Sequence, residues 1–535
     1  MARGSIIGTI ALGFCAVWTT AVGAEDVVPT PVAAIAAPLD AAALALRAEV
    51  EASEDAALQI HFEAQDYAPL WTAVRRAAFL EALGGVDAHG LPLGRYDAEA
   101  LRALFREGSD AEIEVAASQL LIKYARDISS GLLEPRRLAA DMSVDPPRPD
   151  GAAVLDAFRA STDPKAALAA LLPSHVDYAR LVEERARLVA LINAGGWGAP
   201  LGGRETLRPG DLGPLVIELR GRLGRIDGVD YGEVPLFDPE LEAAVRAFQL
   251  RKGLNDDGVV GPQTRAALNA SPVDRLRQVL VNLERQRWLN VDRGARHILV
   301  NQADFRVTLY DNGEPTYTSR VVIGKNRHRT QEFNDRMSHM VVNPTWHVPR
   351  SIATEEMLPK LQRNPSALGG TYRVMTRNGT AVNPRYVDFR QFSAANFPFV
   401  VKQRPGGGNA LGRVKFMFPN KYNIYLHDTP AKSLFNRDVR AYSHGCVRVQ
   451  KPFEFAHALL APQTEDPKGL FQQTLNTGRE RRIDLDEPVP IYLTYLSVVF
   501  DEAGDAQYRG DVYGRDALVF KALSAAGVDL GLVEG

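Results

Sequence analysis

An α+β multidomain architecture is predicted by three changes of pattern along the chain. Apolar residues recur at helical spacing over residues 39–206 and again in a compact unit at 207–270. At His297 the period switches to that of strands. A chain of 535 residues exceeds one core, and units of about 100–200 residues give roughly three or four domains. A hydrophobic content of 46% and a charged content of 24% are those of a folded chain. The net charge of -3 offers no basic surface, so nucleic acid is not expected as a partner.

At the N-terminus, Arg3, an apolar run from Ile6 to Trp18 and a small-residue exit at Ala24 form a secretory signal, expected to be cleaved after residues 1–24. The run is shorter than the ~20 residues of a spanning helix. Membrane contact is therefore expected only through this segment, before cleavage. Residues 25–38 contain Pro29, Pro31 and Pro38 and read as a linker.

Leu46 with Val50, Val74 with Ala78, and Leu120 with Leu121 and Tyr124 give residues 39–206 the pattern of a helical scaffold, with no chemistry in it. In 207–270, Leu215, Leu219 and Leu223 make one helical stripe. Asp238-Pro239 caps and opens a second helix through Leu241, Val245 and Phe248, and Gly261-Pro262 opens a third. Ser271-Pro272 starts a connecting helix, assigned to 271–295, with Leu276, Leu280 and Leu283 on the face expected to meet the scaffold.

Residues 296–535 read as a mainly β domain. Two strands flank a turn at Asp311-Asn312-Gly313. "MSHMVVNPTWHVP" is expected as one further strand, "VKFMFPNKYNIYLHDTP" as two, and "VPIYLTYLSVVF" as a late one. Its middle, about 355–410, breaks the pattern with Gly369-Gly370 and Gly406-Gly407-Gly408. Its aromatic residues argue for an ordered lid over a site.

That site centres on Ser443-His444-Gly445-Cys446-Val447-Arg448. Removal of the signal takes Cys15 with it and leaves Cys446 the lone thiol, which excludes an internal disulfide and a thiolate metal cluster. His339 and His347 lack the spacing of a helical metal pair, and no metal or cofactor is expected. A thiolate attacks carbonyl carbon once a base or a positive field helps to form it. His444, two residues away, would share the thiol's face in a strand. His427 would have to be brought in by folding, oriented by the side chain or carbonyl of Asp428. Gly445 allows close approach to the backbone, nearby amides offer an oxyanion hole, and Arg448 offers a carboxylate or carbonyl anchor.

Two longer stretches carry resemblances. "AVRAFQLRKGLNDDGVVGPQTRAAL" resembles the three-helix peptidoglycan-binding module of cell-wall enzymes. "NPTWHVPRSI" and "YLHDTPAKSLFNRDVRAYSHGCVRV" are similar to the L,D-transpeptidase catalytic domain, in its large periplasmic form with scaffold, binding module and capping insertion. The resemblance implies a periplasmic enzyme whose partners are donor and acceptor peptidoglycan stem peptides, and possible other cell-wall synthesis proteins. Cys446 would cleave a tetrapeptide stem after diaminopimelate, form a thioester, and pass the acyl group to a second stem as a 3→3 cross-link. Carbapenems would acylate the same thiol. In this family the upstream histidine is the base, which selects His427. Ser443, His444 and Gly445 match the motif, the carbonyl of Asp428 becomes the ring orienter, and Trp346 and Tyr425 match positions flanking the cleft. Hydrolysis of the thioester, as in a carboxypeptidase, and a non-catalytic wall-binding scaffold are the competing readings.

Overall fold

The computed structural model describes residues 39–532. The expected signal, the linker at 25–38 and Cys15 lie outside the described residues. Helices occupy the chain from Ala41 to Asn193. Asp40, Asp55, Thr72, Ser109 and Asp150 start five of them, each side chain accepting an amide that the first turn leaves free. Leu46, Val50, Phe62, Trp71, Phe79 and Leu121 fill their shared core. A second core, of Val216, Leu219, Leu241, Val245, Phe248 and Leu268, lies within helices Pro214–Asp227, Pro239–Arg251 and Pro262–Asn269.

Helix Pro272–Trp288 differs from its expected one-sided burial. Every residue from Val279 to Trp288 is buried. It packs between helices Val176–Asn193 and Arg515–Ala525. The charged residues of that segment, Glu284, Arg285 and Arg287, are paired inside. Glu284 accepts from the Leu133 amide at 2.8 Å and from Trp288 Nε1 at 3.0 Å, and Arg285 donates to Glu332 at 2.6 Å. Buried charge persists only when paired in this way. The chain's last part also departs from expectation. The stretch read as one late strand stops at Thr494. The hairpin Val498–Phe500/Ala506–Tyr508 and helix Arg515–Ala525 then contribute Val498, Tyr508, Val519 and Leu523 to the core around helix Pro272–Trp288.

Thirteen strands precede that hairpin: β1 (Arg296–Asn301), β2 (Arg306–Asp311), β3 (Glu314–Gly324), β4 (Phe333–Val342), β5 (Trp346–His347), β6 (Tyr372–Thr376), β7 (Ala381–Val382), β8 (Phe399–Gln403), β9 (Val414–Met417), β10 (Leu426–His427), β11 (Ala441–Ser443), β12 (Val447–Val449) and β13 (Arg481–Thr494). Nine form one mixed sheet in the order β11-β3-β12-β10-β9-β4-β13-β1-β2. β3 pairs with β2 through residues 314–320 and with β12 and β11 through 321–324, so the sheet returns on itself. Between β2 and β3 only Asn312 and Gly313 intervene, both at positive φ, as a two-residue hairpin requires.

The strand expected to run through Trp346 is broken at Asn343, whose φ of +50° turns the chain and whose buried amide donates to the Leu475 carbonyl at 2.9 Å. β4 stays in the large sheet, and β5 joins a second sheet, β5-β8-β6-β7. Val348, Leu358, Leu361, Phe389, Phe397 and Val401 give this insertion its own core. Its strands are too short and too interrupted by glycine for period-two alternation to reveal them.

Candidate active site

Alternation on two short neighbouring strands builds the site. β10 and β12 run parallel, with Leu426 opposite Val447 and His427 opposite Arg448. Leu426, Val447 and Val449 point into the core of the large sheet, fully buried. The alternate strand residues His427 and Arg448 therefore face the other way, and with the flanking Tyr425 and Cys446 they line one cleft of about 800 Å³. Cys446 immediately precedes Val447, which stands opposite Leu426, so the thiol and His427 lie at adjoining strand ends.

His427 is buried. Its Nδ1 lies 2.5 Å from the carbonyl oxygen of Asp428. A carbonyl only accepts, so Nδ1 carries the proton and Nε2 is left with its lone pair. Burial first, then the positive charge of Arg448, pushes the pKa of His427 down to about 3, with Lys415 and Lys432 adding to the effect. The ring is thus a neutral base at physiological pH. The side chain of Asp428 is turned elsewhere. It accepts from the amides of Arg413 (2.9 Å) and Thr429 (2.7 Å) and from Lys432 (2.6 Å).

Cys446 is half-buried and its thiol lies 3.6 Å from the carbonyl oxygen of Asn423. Burial raises its pKa. Hydrogen bonds from Tyr425 and the charges of Arg448 and Lys415 oppose that rise. A thiol whose ionisation burial disfavours and a neutral imidazole thus line the same cleft.

Ser443, at the end of β11, holds the turn that presents the thiol. Its hydroxyl donates to the Cys446 carbonyl at 2.5 Å and accepts from the Gly445 amide at 3.1 Å, while Thr330 Oγ1 donates to the Gly445 carbonyl at 2.7 Å. Gly445 has φ +114°, a conformation L side chains rarely adopt. A Cβ there would meet nothing closer than 3.8 Å. Backbone conformation, rather than close approach, thus requires the glycine. The Gly445 amide is spent on Ser443. Among the described residues, the amides of His444 and Cys446 donate to no protein acceptor.

Residues 444–446 form this turn rather than a strand, so alternation does not place His444 beside the thiol. Its Nε2 lies 2.8 Å from Glu356 of the insertion and 3.2 Å from the ammonium of Lys325. Trp346 reaches the cleft from β5, half-buried against the insertion's core. Seven of the nine expected site residues line the cleft; Asp428 and Gly445 do not, and contact it through the Asp428 carbonyl to His427 and the Gly445 amide to Ser443. Among the further cleft residues that the sequence does not single out are Lys415, Asn423 and Glu356. Only Lys415 has a visible signal, as the polar member of the alternating "VKFMF". On β9 it stands opposite His427, so Lys415, His427 and Arg448 form one row across three strands.

Three family profiles match the chain. The L,D-transpeptidase catalytic domain matches residues 295–490, a Scaffold domain 56–184, and a domain described as "Putative peptidoglycan binding domain" 213–268. A curated protein of Haemophilus influenzae named "Putative L,D-transpeptidase" is 35% identical over 222 residues, covering 41% of this chain and 44% of that protein. The "N-acetylmuramoyl-L-alanine amidase CwlM" of Mycobacterium tuberculosis is 39% identical over 74 residues, 12% of this chain and 18% of the relative. The chain thus spans less than half the length of either relative. Crystal structures of L,D-transpeptidases from Stackebrandtia nassauensis and Xylanimonas cellulosilytica are each 14% identical. Each covers 55% of this chain, and they align over 97% and 98% of their own lengths. Their TM-scores of 0.21 and 0.17 are too low to compare geometry.

Proposed function

We propose, from a catalytic domain that belongs to the L,D-transpeptidase family, that this protein cross-links peptidoglycan stems through a thioester on Cys446. Its domains are those of a peptidoglycan-modifying enzyme, which points to the cell wall as its place of action. One observation carries the reading: a half-buried thiol and a neutral, carbonyl-oriented imidazole share a cleft with two cations.

In the first half-reaction a donor tetrapeptide lies in the cleft with the carbonyl of its diaminopimelate–D-Ala bond against Cys446. His427 Nε2 takes the thiol proton as Sγ attacks, and the carbonyl oxygen gains negative charge against the free amides of His444 and Cys446. His427 then gives the proton to the departing nitrogen, D-Ala leaves, and a thioester remains. In the second half-reaction the side-chain amine of an acceptor stem attacks the thioester, His427 takes its proton, and the thiol is regenerated with a 3→3 cross-link formed. Water in place of the amine gives a tripeptide. Carbapenems, whose strained cyclic amide presents a carbonyl to the same thiol, would stop at the acyl-enzyme. Export through the N-terminal segment and docking of the three-helix unit on the wall complete the proposal.

The test is incubation of purified protein with tetrapeptide muropeptides, followed by mass spectrometry of the products. Cross-linked dimers, absent with Cys446→Ala, are expected. Tripeptide monomer as the sole product would replace transpeptidation by hydrolysis. No turnover with intact wall binding would leave a scaffold.

A further inference from the structure

Most cations around the cleft are engaged. Lys432 donates to Asp428, Lys325 lies against His444, and Arg350 donates to the carbonyls of Phe397 and Ala394. Lys415 and Arg448 are different. Among the described residues, neither makes a hydrogen bond or an ion pair to a protein acceptor, and the Nε of Arg448 is buried without a partner. Both line the cleft beside Cys446. The Lys415 ammonium sits 5.7 Å from the centre of the Tyr425 ring, on the cleft side of β10. Glu480, the carboxylate nearest to it in effect, already accepts from the Thr345 amide.

The register gives these two cations a shared geometry. They flank His427 in one row, Lys415 on β9 and Arg448 on β12. With strands about 4.8 Å apart, their backbones stand roughly 10 Å from each other. Two long side chains that arise from such positions and line the same cleft can close on one small anion. Withdrawing a cation from water without a counter-charge is unfavourable, and burial already lowers the pKa of both groups. A ligand carboxylate supplies the missing acceptor, with Arg giving a planar fork and Lys a point charge.

We propose that Lys415 completes, with Arg448, a two-cation receptor for a carboxylate of the donor stem, and so restricts the enzyme to stems that carry that group as a free acid. This rests on the acyl-transfer reading above and adds the specificity determinant to it. A tetrapeptide stem carries such a group at its terminal D-Ala and another on diaminopimelate. The shared chemistry is a carboxylate, and the two sources are separated by amidating each in turn.

Binding to the inactive Cys446→Ala protein tests this independently of turnover. Calorimetry with the free-acid tetrapeptide, the terminal amide and the diaminopimelate amide should show one of the two amides bound about 10–100-fold more weakly than the acid, the range for a hydrogen bond to a charged group. Adding Lys415→Met should weaken the acid by a similar factor and leave that amide within threefold. Adding Lys415→Arg should restore most of the preference. Equal binding of acid and both amides, or a preference that survives Lys415→Met in a protein with an unchanged unfolding midpoint, would overturn the proposal. Failure of the parent protein to form dimers from muropeptides bears on the acyl-transfer reading alone.

Discussion

Replacing Ser443 by alanine removes the hydroxyl that ties the Cys446 turn together. That hydroxyl is 2% exposed with its residue, donates to the Cys446 carbonyl at 2.5 Å and accepts from the Gly445 amide at 3.1 Å. The variant leaves a buried amide unmet, at about 1–3 kcal/mol, and loses a bond to the carbonyl worth about 0.5–1.5 kcal/mol. The sum, roughly 2–4 kcal/mol, falls on a three-residue turn already held at φ +114°. Water and small backbone shifts recover part of it. The remainder lowers the fraction of molecules with the thiol in place, and at about 1.4 kcal/mol per decade an acylation rate 10–10²-fold below the parent is expected. Intact-protein mass spectrometry of carbapenem acylation over time reads this rate, and circular dichroism checks that the domain remains folded. Acylation within threefold of the parent would show that the turn does not depend on Ser443.

Three further outcomes are expected. Because His427 stays neutral above about pH 3 and burial raises the Cys446 thiol, acylation should be flat between pH 5 and 8 and rise only as the thiolate forms. An acidic limb near pH 6 would contradict the neutral pair. His427→Gln should slow acylation by about 10²–10⁴-fold as the loss of a general base, and His444→Gln by less, since its Nε2 is committed to Glu356 and Lys325; the reverse order in a rate comparison would move the base to His444. Glu332 pairs with Arg285 at 2.6 Å and Arg515 at 3.0 Å, all three buried. Glu332→Ala should therefore cost about 3–5 kcal/mol, seen as an earlier denaturant midpoint, by leaving buried Arg285 with only the more distant Asp516 at 3.8 Å, while Arg515 keeps Asp141.

The site is readable in the sequence where chemistry is local. Ser443, Gly445 and Cys446 lie within four residues, and a lone thiol among them points to a nucleophile. Helix starts at Asp238-Pro239 and Ser271-Pro272 are equally legible, because a cap acts within one turn. What escapes the sequence depends on partners far along the chain. Lys415 gains meaning only from its register opposite His427. Glu356 matters because the insertion folds back to His444. The all-round burial of helix Pro272–Trp288 is hidden because Glu284, Arg285 and Arg287 find their buried companions on other elements as well as their own, among them Leu133, Glu332 and Tyr178. The break at Asn343 is a single positive φ, invisible to periodicity.

The central claim is that Cys446 carries the acyl group. Intact-protein mass spectrometry of the full chain mixed with a tetrapeptide stem tests it most directly. A single adduct of the stem's mass less D-Ala, mapped to Cys446 and absent from Cys446→Ala, is the predicted result. An adduct that persists in Cys446→Ala, or cross-linked product formed by that variant, would contradict it.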